Sequence, residues 1–281
     1  MIEIKDVAFG YGGRDLFSGL KLTLRSGQIY GLLGKNAQGK TTLLKLIAGL
    51  RFPREGSINV FGMNAGDREP ELLQKIFFVP EQIELPSLRV GDYAAELSDY
   101  YSTFRLDSFA GYIEEFEIYE SVLMQTLSFG EQKKVLLALA LSSGCPLILL
   151  DEPMNGLDVP AKMKFRRLLA MAATEDSTFI LSTHQIRELE QLIDPVIILH
   201  NGGVLLNESL SRIGEHLEFG MQAEKPSASE VVYSELGPGG YSVIRQSGMA
   251  CGNPVDMELL FSAAVNDPDL IRAIFGRKGG V

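Results

Sequence analysis

A glycine-rich run near the amino terminus has the residue types and the spacing that bind phosphate groups. Residues 34–41 read Gly-Lys-Asn-Ala-Gln-Gly-Lys-Thr and lie between an apolar run and an apolar-faced helical pattern. Glycines let the backbone curl so that successive N–H groups point at phosphate oxygens, and the following helix directs its positive end at them. In this pattern Lys40 reaches the β- and γ-phosphates and Thr41 holds Mg²⁺. The predicted nucleotide contacts are Gly34, Lys35, Asn36, Ala37, Gln38, Gly39, Lys40, Thr41 and Thr42.

Two adjacent carboxylates at the end of another apolar run supply what the hydrolysis of a bound nucleotide requires. Asp151 and Glu152 follow the run at 147–150. We expect Asp151 to support Mg²⁺ and Glu152 to orient and deprotonate the attacking water. Taken alone, an Asp-Glu pair more commonly only begins a solvated loop. Together with the loop at 34–41, the pair favours phosphoryl transfer to water.

These two segments need a sheet that holds them side by side. Short apolar runs predict buried strands, and helical patterns fall between several of them, which is typical of a largely parallel sheet covered on both faces. The runs lie at 29–33, 76–79, 147–150, 179–181 and 196–199. Before them, the alternation at 2–9 and 20–24 predicts antiparallel strands. Residues 89–141 have helical spacing throughout and are interpreted as a helical insertion.

Composition and charge exclude several classes of protein. The 281 residues carry 26 Lys+Arg and 36 Asp+Glu, a formal net charge of −10, which disfavours a nucleic-acid partner because such proteins usually present a basic face. Hydrophobic residues make up 46% of the chain, enough for a large core. The best candidate for a membrane span, residues 135–150, is shorter than the roughly 20 residues required and contains Pro146, so it predicts two buried elements joined by a turn.

The amino terminus and the cysteines point to a reducing compartment. The opening Met-Ile-Glu-Ile-Lys-Asp has neither the basic start nor the apolar stretch of a secretory signal, which predicts a cytoplasmic protein. Cys145 and Cys251 lie far apart and have no metal-like spacing. We expect both to be reduced structural thiols.

Read in order, these motifs resemble the ATP-binding subunit of ABC transporters over roughly residues 1 to 215. The resemblance is carried above all by Leu-Ser-Phe-Gly-Glu-Gln at 127–132, which corresponds to the family's signature motif and opens an apolar helix. It implies that Tyr11 stacks on adenine and that Glu81 or Gln82 approaches the metal. It also implies a catalytic role for His184, which follows a further predicted strand.

The resemblance further implies that the ATPase works as a pair. One phosphate loop supplies a cradle and metal ligands, but nothing in it covers the outer face of the γ-phosphate. The amino terminus of the signature helix in a second copy can do so, with Ser128, Gly130 and unpaired backbone N–H groups. The implied assembly is a head-to-tail homodimer that encloses two ATP molecules.

The sequence departs from the family pattern at several positions. Lys35 stands where the phosphate loop often has proline, and Ala37 where it often has glycine. In the signature motif, Phe129 replaces a usual glycine and Glu131 a usual glutamine. At the sensing loop, Glu81 occupies the glutamine register and Gln82 follows one residue late, so the sequence leaves open which of them approaches the metal.

The resemblance and the patterns together predict an α/β fold: a P-loop NTPase core with a parallel sheet, an N-terminal antiparallel β subdomain, a helical insertion and a small C-terminal α+β extension. The expected ATPase domain covers 1–219, with its helical subdomain at about 89–142, and a C-terminal accessory domain covers 220–281. In the latter, turn-rich segments flank strand-like pieces at 231–233 and 241–244.

The implied function is ATP binding and hydrolysis that energises a separate membrane permease, by a subunit held on the inner face of the cell membrane. Residues 255–261 resemble a short acidic-apolar motif of ATPases from bacterial exporter systems, although an ordinary amphipathic helix explains them equally well. A soluble ABC-type ATPase, for example in iron–sulfur assembly, is the alternative. A DNA-repair or translation ATPase is disfavoured, because the chain has neither a long coiled coil nor two ATPase units.

Overall fold

The computed structural model of the chain describes residues 1–227, 229–247 and 254–276. Within these ranges no helix is long and apolar enough to cross a lipid bilayer. Cys145 is buried and free, as predicted. Cys251, the other predicted structural thiol, lies outside the described residues.

An antiparallel sheet forms from the amino-terminal part of the chain. Its strands are β1 (Ile2–Tyr11), β2 (Arg14–Leu24), β4 (Glu55–Val60) and β5 (Met63–Asn64), in the order β2-β1-β4-β5. The alternation in the sequence is explained by burial on one face, because Ile2, Ile4 and Val7 of β1 are buried while their neighbours are partly or fully exposed. The predicted antiparallel subdomain is confirmed.

A six-stranded sheet forms the centre of the fold. It contains β3 (Ile29–Leu33), β6 (Ile76–Val79), β7 (Leu147–Asp151), β8 (Thr178–Thr183), β9 (Val196–His200) and β10 (Gly203–Glu208), in the order β10-β9-β3-β8-β7-β6. All neighbours pair in parallel except β10, which is antiparallel to β9. Every residue of β7 and β8 is buried, which explains their continuous apolar character. The five predicted strands are confirmed.

Helices cover both faces of this sheet. They are α1 (Lys40–Ile47), α2 (Pro70–Leu73), α3 (Val90–Tyr100), α4 (Leu106–Glu115), α5 (Phe129–Ser142) and α6 (Val159–Ala172). The predicted helical insertion corresponds to α3, α4 and α5. The apolar stretch at 135–150 consists of the end of α5, a turn and β7, which confirms that it is two buried elements.

The C-terminal part has mixed structure. It contains α7 (Leu210–His216), β11 (Leu217–Gln222), β12 (Tyr233–Gly237), β13 (Gly240–Gln246), α8 (Met257–Asn266) and α9 (Pro268–Phe275). The three strands form an antiparallel sheet in the order β11-β13-β12. The division at 219/220 falls within β11 and stays a prediction.

The strand predicted at 231–233 is wrong, because β12 begins only at Tyr233. β12 is an edge strand that pairs with β13 alone, and most of its residues are exposed, so it lacks the apolar alternation that the prediction used. The piece at 241–244 does lie within β13. The turn-rich Gly-Pro-Gly-Gly run forms the tight connection between β12 and β13.

Two core layers lie on opposite faces of the central sheet. Leu147 and Leu149 of β7 pack in the layer shared with α1 and the antiparallel sheet. Ile148 and Leu150 belong to the layer shared with the helical insertion, α6 and the C-terminal helices. β7 is therefore held from both sides, which fixes the position of the carboxylate at its end.

Candidate nucleotide site

Three neighbouring strands bring the predicted site residues to one place. β3, β8 and β7 are adjacent and parallel, so their carboxyl ends meet at the same end of the sheet. β3 leads into the phosphate loop at 34–39, β7 ends at Asp151, and β8 ends one residue before His184. Ligand sites of open parallel sheets lie at this end.

The phosphate loop depends on two residues in the left-handed region of the backbone. Gly39 has φ 98° and precedes α1, and a Cβ atom there would lie 2.6 Å from Cζ of Phe17. Ala37 has φ 63°, a left-handed conformation that favours glycine, so the loop keeps its curl here with an alanine in a conformation that costs backbone energy. Because Gly39 has no side chain to cap α1, the first N–H groups of the helix remain available to an anion.

Lys40 begins α1 and lies at the centre of the site. Its Nζ donates to the carbonyl oxygen of Gly34 at 2.8 Å and lies 3.7 Å from Oε1 of Glu152. The Lys40 and Glu152 side chains are each only 7% exposed, so their charges interact with little screening by water. The position of this ammonium group between the loop and the carboxylate suits the neutralisation of phosphate charge.

Thr41 and Asp151 meet as a hydroxyl–carboxylate pair. Oγ1 of Thr41 donates to Oδ2 of Asp151 at 2.7 Å, and Ser182 of β8 donates to the other carboxylate oxygen at 2.5 Å. One hydroxyl and one carboxylate are oxygen donors of the kind that Mg²⁺ takes alongside substrate phosphates. The described residues contain no cluster of three or more His, Cys, Asp or Glu side chains that could hold a metal ion.

Glu152 is held from two sides. Its backbone N–H donates to Oγ of Ser182 at 3.0 Å, and its Oε1 lies 2.9 Å from Nδ1 of His184. Glu152 also has φ 46°, which is unusual for a residue other than glycine and is maintained by these contacts. The sequence did not identify Ser182, although its place next to the Thr-His pair after a buried strand was a usable signal.

A cleft of about 450 Å³ joins these groups. The sequence-predicted residues that line it are Tyr11, Asn36, Ala37, Gly39, Lys40, Thr41, Thr42, Glu81, Glu152 and His184, and Leu16 lies beside them. Seven other predicted residues are outside this lining, namely Gly34, Lys35, Gln38, Gln82, Ser128, Gly130 and Asp151. Gln38 is turned away, since its Oε1 accepts a bond from the N–H of Asn201 at 2.7 Å.

Tyr11 and Glu81 lie at the margin of the cleft. The Tyr11 ring is 50% exposed and packs edge-on against Phe9, with its hydroxyl 3.3 Å from Oγ1 of Thr42. A half-exposed ring in this position can offer a face to a planar base. Glu81 lines the cleft and accepts a bond from Nδ2 of Asn155 at 3.3 Å, whereas Gln82 does not line it.

Comparison with known proteins identifies the family. The ABC transporter family model matches residues 17–155. The chain is 30% identical over 213 residues to the bacitracin transport ATP-binding protein BcrA of Bacillus licheniformis, which covers 73% of this chain and 68% of the relative. This chain belongs to the ABC transporter family. It is an ATP-binding subunit with the ATPase domain of that family.

Further relatives and solved structures support the same family for this ABC ATPase. A Nod factor export ATP-binding protein of Burkholderia orbicola is 31% identical over 72% of this chain and 68% of its own length. A solved ATP-binding subunit of an ABC transporter superposes with a TM-score of 0.70 at 26% identity, over 76% of this chain and 91% of the other. A dimeric ATP-binding cassette in a post-hydrolysis state, bound to ADP and Pi, superposes with a TM-score of 0.65 at 25% identity, over 75% and 99%.

The signature helix of this ABC ATPase begins with a capping box. Oγ of Ser128 accepts from the N–H of Glu131 at 3.3 Å, and Oε2 of Glu131 accepts from the N–H of Ser128 at 2.8 Å. Oε2 of Glu131 also accepts from the Ser128 hydroxyl at 2.7 Å, and this bond, together with the one from the Ser128 N–H, holds the pKa of the Glu131 carboxyl below its usual value. Ser128 is exposed at the start of α5 and lies outside the cleft of its own chain.

The glycine of the signature motif is required by a close approach. A Cβ atom on Gly130 would lie 2.6 Å from the carbonyl oxygen of Gly156. Gly156 itself has φ 80° and packs against the ring of Phe129. The start of α5 therefore contacts the segment that follows Asp151 and Glu152 in the same ABC ATPase.

Lys133 is a buried cation that sequence reasoning missed. Its side chain lies on α5, and its Nζ donates to the carbonyl oxygens of Pro80 at 3.1 Å and Asp151 at 3.3 Å. The residue is fully buried, and this burial lowers the pKa of its ammonium group to about 8, against the opposing effect of nearby carboxylates. Lys133 thus links the signature helix, the segment before Glu81 and the end of β7. A lysine within an apolar helical face was the available signal.

Proposed function

We propose that this ABC ATPase hydrolyses ATP to energise a separate membrane permease, and that the transport it drives is export. Hydrolysis is supported by the pair of carboxylates at the end of β7, beside the phosphate loop. Export is supported by relatives of the chain that are named for bacitracin transport and Nod factor export. The acidic-apolar run at 255–261 includes the N-cap Asp256 and the first turns of α8, which an ordinary amphipathic helix explains equally well, so the export proposal rests on the relatives.

Each cleft residue has a role in the proposed hydrolysis. Glu152 accepts the proton of the attacking water, and His184 holds the Glu152 carboxylate in position. Lys40 and the N–H groups at the start of α1 bind the phosphates, and Tyr11 stacks on adenine. Mg²⁺, when bound, would neutralise charge on the phosphates, with Thr41 and Asp151 as its protein ligands.

Glu81 is the third proposed metal-side residue, in preference to Gln82. The preference is supported by the place of Glu81 in the cleft lining, which Gln82 does not share. Lys35 and Gln38 contribute to nucleotide binding through the backbone of the loop and not through their side chains. This is supported by the bond that turns Gln38 toward Asn201.

The proposed working unit is a head-to-tail homodimer with two ATP molecules at its interface. The exposed start of α5 supports this arrangement, since Ser128 is exposed, does not line the cleft of its own chain and stands at the positive end of a helix. The dimeric state of the ADP- and Pi-bound cassette, a structural neighbour, supports it further. Closure on ATP and separation after hydrolysis would transmit work to the permease.

The proposed location is the cytoplasmic face of the cell membrane, through a permease bound at the groove between the helical insertion and the sensing loop. Purification of the tagged full chain from native membranes in mild detergent tests this. We expect a stable complex with a polytopic membrane protein, whose ATPase activity exceeds that of the chain alone. No nucleic acid is expected in the complex.

The same experiment distinguishes the transport proposal from its main alternative. A soluble ABC-type ATPase, such as one of iron–sulfur assembly, would be recovered only with soluble partners, and this result would overturn the transport proposal. The matched control is the Lys40→Ala chain, whose recovery of the same complex would show that docking is independent of bound nucleotide.

A further inference from the structure

The C-terminal helix α8 lies directly against the segment that follows His184. Nε of Arg187 lies 2.6 Å from Oε2 of Glu258, and the N–H of Met257 donates to Oε1 of Glu190 at 3.4 Å. The segment at 186–193 contains one 3₁₀ turn and no strand, so it has few regular backbone hydrogen bonds of its own. Its position must therefore depend on what packs against it.

Apolar contacts accompany this ion pair and this hydrogen bond. Ile186 and Leu189 are buried, and they belong to the same core layer as Leu259 and Leu260 of α8. The Arg187–Glu258 ion pair is largely exposed and contributes little by itself. The apolar face of α8 therefore contributes to holding this segment, together with α6, whose Lys162 and Arg166 bond to Glu188.

Phe261 extends this contact to the site itself. The residue lies on α8, one helical turn after Met257, and lines a small cavity of about 220 Å³. The other residues lining the cavity are Gly34, Lys35, Asn36, Thr183, His184 and Ile186. Phe261 is thus placed where the outer end of the phosphate loop meets the histidine segment.

We propose that α8 positions His184, and that Phe261 is the positioning residue through which it does so. His184 lies 2.9 Å from Oε1 of Glu152, whose backbone is held at φ 46°. A shift of the histidine segment would move this carboxylate relative to the attacking water, and hydrolysis is sensitive to small misplacements. The proposal rests on the proposed roles of Glu152 and His184. Under this proposal the C-terminal extension contributes to hydrolysis, and this contribution is distinct from any contact with a permease.

The test is the steady-state ATPase activity of Phe261→Ala in the full chain. We expect kcat to fall between about 10-fold and 100-fold, while the KM for ATP changes little, because the phosphate contacts of Lys40 remain. Phe261→Leu, which keeps most of the apolar volume, should restore much of the loss. The matched control is Phe275→Ala, which truncates a buried phenylalanine of α9 that packs against His216. That variant should retain kcat after correction for the folded fraction.

A double-mutant comparison tests whether Phe261 acts through His184. If it does, Phe261→Ala should cause no further loss of kcat in a His184→Ala background. An unchanged kcat in Phe261→Ala, additive losses in the double variant, or an equal loss in Phe275→Ala would overturn the proposal. If Phe261→Ala does not fold, the same comparison with Phe261→Leu decides. A His184→Ala or Glu152→Gln chain with normal turnover would instead overturn the assigned hydrolytic roles themselves.

Discussion

Nδ1 of His184 lies 2.9 Å from Oε1 of Glu152, a carboxylate that is only 7% exposed and whose Oε1 also lies 3.7 Å from Nζ of Lys40. The carboxylate therefore has a basic group on each side, one from the end of β8 and one from the start of α1. Such a group can take a proton from water while its orientation remains fixed. The arrangement supports the proposed roles, in which His184 positions the carboxylate and Glu152 takes the proton.

Replacement of Glu152 by glutamine keeps the shape of the side chain and removes the base. We expect Glu152→Gln to lower kcat by about 100-fold or more, since general-base catalysis contributes about 10²–10⁴-fold. ATP binding should persist, because Lys40 and the loop are intact, and an ATP-bound dimer should accumulate in size-exclusion chromatography. The control is Glu175→Gln, in an exposed turn. Normal turnover in Glu152→Gln would contradict its assignment as the base.

Lys40 carries the only side-chain cation that lines the cleft among the described residues. Lys40→Ala should weaken ATP binding by a factor of about 10 or more, since the lost charge faces a polyanion in a poorly solvated site. Isothermal titration calorimetry with a non-hydrolysable ATP analogue measures the change. Lys21→Ala, on the exposed side of β2, is the matched control. Equal affinities of the two variants would mean that the phosphates bind elsewhere.

The sequence was sufficient for the central sheet and the cleft because both depend on local signals. The strands β6 to β9 are continuous apolar runs, and the loop at 34–41 has fixed spacing. By contrast, β12 is an exposed edge strand without apolar alternation, and its start was misplaced. Lys133 and Ser182 were missed because their local signals, a lysine in an apolar helical face and a serine after a buried strand, do not name their partners, which lie 18 and 31 positions away in the chain.

The single described cysteine provides a pH-dependent probe of the core. Cys145 is 1% exposed, and burial raises the pKa of its thiol to about 11, so it stays protonated in the folded chain at ordinary pH. In a Cys251→Ser chain, iodoacetamide labelling should be slow from pH 7 to pH 9 and become fast when denaturant unfolds the protein. Mass spectrometry at each pH measures the labelled fraction. Rapid labelling of the folded chain would contradict the burial of this thiol.

Glu131 tests the effect of a negative charge at the start of the signature helix. Glutamine also satisfies a capping box, so Glu131→Gln should retain the helix start while removing a charge that repels the γ-phosphate of a partner chain. We expect the ATP-bound dimer of the Glu152→Gln background to become tighter, measured by analytical ultracentrifugation. Glu131→Ala is the control, since it removes the charge together with the bonds that Glu131 accepts from Ser128 and should be less stable than Glu131→Gln. A weaker dimer in Glu131→Gln would show that the carboxylate itself contributes to the interface.

Lys133→Met tests whether the signature helix positions the catalytic strand end. Methionine fills a similar volume, but it cannot donate to the carbonyl oxygens of Pro80 and Asp151, which the Nζ of Lys133 contacts at 3.1 and 3.3 Å. The substitution leaves two buried carbonyl oxygens without a donor, which destabilises the fold. It also removes a desolvated charge, which stabilises the fold. The free energy of unfolding should therefore fall by no more than about 1–3 kcal/mol. The value of kcat should fall further than this change in stability explains, because the end of β7 loses its tie to α5.

The neighbouring Lys134 supplies the matched control for this prediction. Its Nζ lies 3.7 Å from Oδ2 of Asp158, which is 63% exposed, so Lys134→Met should change stability by less than about 1 kcal/mol. Both variants are compared by urea denaturation and by steady-state kinetics at saturating ATP. If Lys133→Met keeps the wild-type kcat while its stability falls, Lys133 supports the fold alone. A selective loss of kcat would instead show that Lys133 helps to position Asp151 and Glu152 relative to the signature helix.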